Sequence, residues 1–333
     1  MPDAGPPAGR AAVRKTYKLF VGGAFPRSES GRSYVVTGAG GEFLANAALA
    51  SRKDVRDAVV AARKAFPGWS GATAYNRGQV LYRVAEMLEQ RHAELADAVA
   101  AAEGDRDGAS VEAAIATVEA SIDRLVWYAG WSDKIAQVAG SSNPVAGPYF
   151  NFSLPEPSGV VGLVAPQRSS LLGLVSVLAP VIVSGNTAVV VASEERPLPA
   201  VAFAELLATS DVPGGVVNVL TGRTAELAPV LAAHRDVDAL DLAGAPASLC
   251  ADLERAAATN VKRVLVPPRR AGGPGGHDGP AAAGAGAAEV APPDRVAAAA
   301  GIPLDEEHWE LPPGTRRLLA FVETKTVWHP VGV

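Results

Sequence analysis

The spacing of apolar residues along the chain changes near residue 159. Before it, apolar residues recur every three or four positions, as on the buried face of a helix. Ser51 followed by Asp54 predicts an N-terminal helix cap, and Pro67-Gly68 predicts the end of that helix. The same spacing predicts helices over 81–104 and 115–128, preceded by short strands over 17–21, 24–25 and 34–36 that turn at Gly22-Gly23.

After residue 159, short apolar runs alternate with helical patterns. The expected strands are 160–165, 187–191, 216–220, 239–242 and 261–266, separated by helices over 171–183, 198–208, 225–233 and 246–258. This alternation predicts an α/β fold with right-handed βαβ units and a doubly wound, Rossmann-like parallel sheet, with N-terminal helices. The uncharged run 169–193 is long enough to span a membrane, but Pro180 and Gly185-Asn186 divide it into a helix, a turn and a strand.

The pattern stops after residue 266. Most residues of 267–300 are Ala, Gly or Pro, which is typical of a disordered linker. We expect a strand over 318–328, and an isolated strand needs a sheet in its own chain or in a neighbour's. The expected organisation is a disordered tail 1–16, strands and helices over 17–139, a hairpin over 140–156, the Rossmann-like unit 157–266, the linker 267–300 and a C-terminal segment 301–333.

Composition narrows the class of protein. The chain has 333 residues, a net charge of -5, 48% hydrophobic residues and one Cys. One Cys excludes an internal disulfide and most structural zinc sites, and suggests a reducing, cytoplasmic location. Acidic residues outnumber basic ones, and no stripe of Lys and Arg is present in the sequence, which argues against nucleic acid as the main partner. No signal-peptide stretch is found near the start, and we expect no membrane association.

Several segments resemble the aldehyde dehydrogenase superfamily, in family order over about 17–266 and 318–328. They are Tyr17-Lys18-Leu19-Phe20-Val21-Gly22-Gly23, Trp127-Tyr128-Ala129-Gly130-Trp131, Glu156-Pro157-Ser158-Gly159, Gly185-Asn186-Thr187, Pro213-Gly214-Gly215-Val216-Val217-Asn218 and Glu323-Thr324-Lys325-Thr326-Val327-Trp328. The resemblance implies a hairpin over 140–154 and a C-terminal strand that together form a small β oligomerisation element. The interface residues expected from it are Tyr149, Phe150, Phe152, Phe321, Val322, Thr324, Thr326 and Trp328.

The resemblance also implies catalytic residues that this sequence lacks. The family uses a Cys nucleophile, an Asn that stabilises the oxyanion and a Glu that activates water. No Cys follows Cys250, which we interpret as a small buried helix residue. Arg168 stands at the position of the Asn, and Pro267 stands near that of the Glu. The expected family nucleophile, general base and oxyanion donor are therefore all missing.

The cofactor residues that the resemblance implies are partly replaced. Val191 stands at the position of a ribose-binding Lys, whereas Glu194 is retained and could accept a hydrogen bond from a ribose hydroxyl. Gly244 lies at the pyrophosphate turn, where Pro246 removes one N–H, and Gly222 is a further vestigial candidate. We expect no cofactor, although residual NAD(P) binding stays possible. The histidines show no ligand spacing, so no metal is expected; they are His92, His234, His277, His308 and His329.

These observations favour a non-catalytic aldehyde dehydrogenase homologue, or pseudoenzyme. Its expected role is that of a structural or regulatory subunit in an oligomer, either with an active aldehyde dehydrogenase or with itself. Two alternatives stay open. The chain could be an NAD(P)-dependent aldehyde oxidoreductase that is active only within a complex, or a weak nucleotide-binding module.

Overall fold

The computed structural model describes residues 14–38, 40–104, 111–266 and 309–332. The predicted tail 1–16 therefore lies mostly outside the described residues, but Thr16 is placed in a strand. The first sheet contains β1 (Thr16–Tyr17), β2 (Ser33–Thr37) and β3 (Phe43–Ala48) in the order β1-β3-β2. β3 was not predicted, because its sequence contains no β-branched residue. It pairs with β1 on one side and with β2 on the other.

The N-terminal helices are α1 (Arg52–Gly71), α2 (Ala74–Gln90), α3 (His92–Glu103), α4 (Val111–Ala129) and α5 (Ile135–Ala139). The cap at Ser51 is confirmed: its hydroxyl accepts from the Asp54 amide, and the Asp54 carboxylate accepts from the Ser51 amide at 2.7 Å. The predicted end at Pro67-Gly68 is wrong, since α1 continues to Gly71. Trp69, which is buried and donates its indole N–H to the Ile182 carbonyl at 2.8 Å, holds the last turn against the core.

The single helix predicted over 81–104 is also wrong. It is broken at Arg91, whose backbone (φ -105°, ψ 22°) lies outside the helical region and separates α2 from α3. The break lets α2 and α3 each pack a buried stripe against α4, which a straight helix could not do.

The Rossmann-like unit follows the prediction closely. Its elements are β6 (Val160–Val164), α6 (Leu172–Val183), β7 (Thr187–Val191), α7 (Leu198–Leu207), β8 (Val217–Leu220), α8 (Thr224–Ala233), β9 (Ala239–Asp241), α9 (Ala247–Ala257), a short 3-10 turn (Ala258–Asn260) and β10 (Arg263–Leu265). All pairings in this sheet are parallel, in the order β10-β9-β6-β7-β8. Helices cover both faces, so every residue of β6, β7, β8 and β9 is buried.

A third, antiparallel sheet contains β4 (Ser141–Asn143), β5 (Tyr149–Pro157) and β11 (Val322–Pro330), in the order β11-β5-β4. The C-terminal strand thus joins a sheet of its own chain, with Val322 opposite Pro157 and Pro330 opposite Tyr149. The strand predicted over 318–328 was misplaced, because Arg316–Ala320 forms a short helix, α10. Leu318 and Phe321 are fully buried, and the helical turn directs both into the core.

Two arginines anchor the C-terminal segment to the rest of the protein. Arg124 of α4 is buried and donates to the carbonyls of Trp309 and Leu311 at 2.8 and 2.7 Å. Arg317 of α10 forms an ion pair with Asp241, whose side chain is only 1% exposed at the end of β9. Residues 267–308, which include the expected linker, lie outside the described residues. Among the helices that the structure describes, none has the length and apolarity needed to cross a membrane.

The Arg317–Asp241 ion pair yields a stability prediction. Arg317→Met leaves a buried carboxylate without its cation, so we expect the free energy of unfolding to fall by about 3 kcal/mol in urea denaturation followed by circular dichroism. Asp241→Asn combined with Arg317→Met removes both charges and should cost less than Arg317→Met alone. Arg255→Met is the control, because its ion pair with Asp252 is exposed and should contribute under about 1 kcal/mol. Equal losses for the single and double variants would contradict this account.

Candidate functional site

The carboxyl ends of the parallel strands bring the predicted site residues to one edge of the sheet. Arg168 follows β6, Glu194 follows β7, Gly222 follows β8 and Gly244 follows β9. In doubly wound folds this edge is where ligands bind. The four predicted residues therefore share this edge, and the chemistry that they can support depends on what they contact.

Both oxygens of the Glu194 carboxylate accept hydrogen bonds from neighbouring groups of the same chain. Its Oε1 accepts from the Arg223 guanidinium at 2.7 Å, and its Oε2 accepts from the backbone N–H of Thr224 at 2.9 Å. The carboxylate thus caps the start of α8 and pairs with a cation, and the hydrogen bond raises the pKa of Arg223. Each oxygen thus has one donor from the same chain, and the side chain is 27% exposed.

Arg223 was not singled out by the sequence analysis. Its guanidinium lies 5.3 Å from the centre of the Tyr34 ring, so it stacks on an aromatic face while it binds Glu194. Burial and the nearby Glu194 carboxylate raise the pKa of the Tyr34 hydroxyl. The only available sequence signal was a basic residue directly before α8, which does not reveal a partner 29 positions earlier in the chain.

The turn at Gly244 uses its amides internally. Gly244 donates its N–H to the Val164 carbonyl at 2.9 Å, and Ala245 donates to the Leu242 carbonyl at 3.0 Å. A Cβ at Gly244 would overlap the carbonyl of Ala165, so the glycine is required for the close approach of this turn to the end of β6. Because Pro246 has no N–H, the start of α9 offers few donors to a phosphate.

Gly222 is explained by packing. Its φ of +153° is a conformation that L side chains rarely adopt, and a Cβ there would lie 3.0 Å from the Leu227 side chain and 3.3 Å from the Ala50 amide nitrogen. A glycine is therefore needed where the turn after β8 passes between α8 and the loop that follows β3. None of these contacts requires a ligand.

The loop that carries Arg168 is tied to the loop after β7. Gln167 accepts from the Glu194 amide at 2.9 Å and donates to the Ala165 carbonyl at 2.8 Å, a role that the sequence analysis missed. Arg168 is exposed, and its carbonyl accepts from the guanidinium of Arg196 at 2.7 Å. Glu103 binds both the amide and the hydroxyl of Ser170. This loop is thus held by internal bonds, with the Arg168 side chain on the surface.

The remaining catalytic and metal candidates do not converge on this edge. Cys250 is buried within α9 and its thiol contacts the Pro246 carbonyl at 3.6 Å, as expected for a helix packing residue. Pro267 lies outside the described residues, as do His277 and His308. The described residues contain no group of three His, Cys, Asp or Glu side chains suited to a metal ion.

The residues at this edge do not fit a dinucleotide such as NAD(P). Both oxygens of the Glu194 carboxylate and the N–H of Gly244 already have partners, and the hydroxyl-bearing residues of the family's phosphate turn are Ala243 and Ala245 here. We therefore assign no chemical step to this cofactor.

The predicted interface residues do lie together on the third sheet. Tyr149, Phe150 and Trp328 are 47%, 50% and 59% exposed, and Tyr149 and Trp328 meet edge to face at 5.8 Å. Leu154, which the sequence analysis missed, is 42% exposed on the same sheet. Phe321 is the exception, because it is fully buried and belongs to the core, so no partner can reach it. Phe152, Val322, Thr324 and Thr326 occupy paired positions of β5 and β11.

Comparisons with known proteins agree with this architecture. The profile of the aldehyde dehydrogenase family matches residues 25–267. Cytosolic 10-formyltetrahydrofolate dehydrogenase of Pongo abelii is 35% identical over 265 residues, which are 77% of this chain and 29% of that protein. Aldehyde dehydrogenase, cytosolic 1, of Elephantulus edwardii is 32% identical over 270 residues, which are 80% of this chain and 52% of that protein.

Solved structures give the same result. The NAD+ complex of aldehyde dehydrogenase from Bacillus cereus superposes with a TM-score of 0.70 at 27% identity, over 76% of this chain and 50% of that one. HpcC from Thermus thermophilus gives a TM-score of 0.70 at 29% identity, over 76% of this chain and 48% of that one. The chain thus spans about half the length of these structures and at most about half of the two relatives above. With its Rossmann-like sheet and this match over most of its length, the chain belongs to the aldehyde dehydrogenase family.

Proposed function

We propose that this chain is a non-catalytic member of the family that acts as a structural or regulatory subunit of an oligomer. The observation that carries the proposal is the third sheet, which presents exposed aromatic and aliphatic side chains and an open strand edge. The candidate cofactor edge also supports the proposal, because Arg223 and the amide of Thr224 bind Glu194 there. The proposed partner is an active aldehyde dehydrogenase, with self-association as the weaker version.

One face of the third sheet carries a group of apolar residues beside an ion pair. Residues directly opposite in an antiparallel pair share a face, and the register places Phe152 opposite Val327 and Leu154 opposite Lys325. Phe150 lies two residues from Phe152 on the same face, and their rings are 5.3 Å apart. Adjacent aromatic residues left half-exposed are common at the centres of protein interfaces. This face is therefore suited to a protein partner.

The edge of the same sheet is also available. β5 is the middle strand, so β11 has one edge paired and one edge with no strand beside it among the described residues. A nine-residue strand with unpaired backbone groups can accept a strand from another chain. Lys325 and Glu156 form an exposed ion pair at 2.8 Å near the centre of the β5–β11 pair. Such charges reduce non-specific pairing, which favours a specific partner over aggregation.

Two alternatives are distinguished by nucleotide binding. An aldehyde oxidoreductase that works only in a complex would need NAD(P) at the carboxyl edge of the sheet. A nucleotide-binding module would need the same edge without aldehyde chemistry. Both require a ligand at the turn of Gly244, whose N–H already donates to the Val164 carbonyl.

The first prediction from this proposal concerns the cofactor. We expect the purified full chain to give no heat with NAD or ATP at millimolar concentration in calorimetry, and no NADH when aldehyde and NAD are supplied. Glu194→Gln is the control for contamination, because it removes the only retained ribose-binding candidate. A heat signal or NADH production that Glu194→Gln abolishes would favour one of the nucleotide-binding alternatives over the proposal.

The second prediction concerns assembly. We expect native mass spectrometry of the chain purified from its own host to give masses that decompose into this chain and a full-length aldehyde dehydrogenase. Phe150→Asp with Leu154→Asp buries two charges in the proposed interface and should weaken assembly about 100-fold or more. The matched control is Val35→Asp with Val60→Asp, which alters two exposed apolar residues on β2 and α1 and should leave assembly unchanged.

The same experiment can reject the proposal. A monomer in the native spectrum, or an assembly that survives Phe150→Asp with Leu154→Asp, would rule out this sheet as the interface. An assembly of identical copies would replace the mixed oligomer with self-association. Circular dichroism of each variant checks that the fold is retained.

A further inference from the structure

A cleft of about 290 Å³ lies at the first sheet. Its walls include residues of β1, of β2 and of the loop between them. Three of the lining residues are basic, namely Lys18, Arg27 and Arg32, and four carry hydroxyls, namely Thr16, Tyr17, Ser28 and Ser33. No acidic residue lines the cleft. It therefore concentrates positive charge in a protein whose net charge is -5.

The three basic residues have no ion-pair partner among the described residues. Neighbouring cations are paired: Lys15 with Glu205 at 3.4 Å, and Lys53 with Glu29 at 3.5 Å. Like charges that line one cleft repel each other, and an anion placed between them removes that repulsion. The local arrangement of charge thus favours a small anion.

The loop that carries the two arginines is fixed before any ligand arrives. Its turn closes with the Gly31 amide on the Ser28 carbonyl at 2.9 Å, and Gly31 adopts a φ of +66°. Asp54 holds this turn, because its carboxylate accepts from the Ser28 hydroxyl at 2.8 Å and from the Glu29 amide at 3.0 Å. Arg27 and Arg32 flank an anchored turn, so little backbone entropy is lost when they bind.

The same contacts define which groups can donate to a ligand. The Ser28 hydroxyl already donates to Asp54, and that carboxylate is buried and does not line the cleft. The hydroxyls of Thr16 and Ser33 have no hydrogen-bond partner among the described residues. Two guanidinium groups, one ammonium and two hydroxyls form a donor set that matches the oxygens of a phosphate.

We propose that this cleft binds a phosphate group, either the free ion or a small phosphate monoester. A volume of about 290 Å³ is at the lower end of ligand pockets, which fits a phosphate with a small substituent and excludes a dinucleotide. None of the four candidate residues at the carboxyl edge of the parallel sheet lines this cleft, and the proposal does not depend on the proposed subunit role. Arg27 and Arg32 bind the phosphate oxygens as paired donors, and Lys18 supplies the third positive charge.

The test is calorimetric titration of the full chain with inorganic phosphate and, separately, with glycerol 3-phosphate, at constant ionic strength maintained with chloride. We expect saturable binding of phosphate that weakens about tenfold or more in Arg27→Gln with Arg32→Gln. Lys64→Gln with Arg235→Gln removes the same two charges from exposed positions elsewhere and should change affinity less than twofold. Tighter binding of glycerol 3-phosphate than of phosphate would identify a monoester as the ligand, and the reverse would identify the free ion.

Lys18→Gln is a second variant, with an expected loss smaller than that of the arginine pair. Thermal unfolding of each variant verifies the fold, and all substituted side chains are exposed. No saturable heat with either probe would overturn the proposal. So would equal weakening in the arginine pair and in the control pair, because it would show a general effect of net charge. Neither result would bear on assembly through the third sheet.

Discussion

The side-chain amide of Asn186 joins the three parts of the fold that meet beside the third sheet. It is fully buried; its Oδ1 accepts from the Gly159 amide at 2.8 Å, and its Nδ2 donates to the Phe321 carbonyl and the Ser184 hydroxyl, both at 2.9 Å. One residue therefore fixes the start of β6, the end of α6 and the start of β11. Without it the buried Gly159 amide would have no acceptor among the described residues, which is a costly loss. The Phe321 carbonyl also accepts from the Ser158 amide at 3.1 Å, so the two bonds together fix the direction in which β11 leaves the core.

The parallel sheet was predictable because each of its strands is marked by the residues of that strand alone. Strands covered on both faces consist of continuous apolar residues, so β6 and β7 were visible in sequence as short uncharged runs between helices. The elements that were misplaced depend on distant contacts. α1 passes through Pro67 because Trp69 is held by α6, and α10 replaces the predicted start of β11 because Leu318 and Phe321 are buried. Local propensity carries no information about either contact.

The candidate site likewise has features that the local sequence predicts and features that depend on distant contacts. The strand order of the sequence analysis brought Glu194 and Gly244 to one edge, because sheet topology determines where strands end. It could not show that Glu194 accepts from Arg223 and from the Thr224 amide, since those contacts join residues that are distant in sequence. It also missed Gln167, whose amide bridges two loops. A polar residue at a position where the resemblance implies a ligand contact can therefore also serve in helix capping and ion pairing.

The pairing of β11 with β5 also sets an order of events during synthesis. β5 ends about 165 residues before β11 begins, so its edge stays uncovered while the intervening chain is made. At ribosomal rates this lasts roughly ten seconds or more, during which the Rossmann-like strands can fold around it. The third sheet is completed only when β11 emerges. Chains interrupted before that point would leave the β5 edge exposed and available to chaperones, so completion of this sheet distinguishes chains that contain β11 from those that do not.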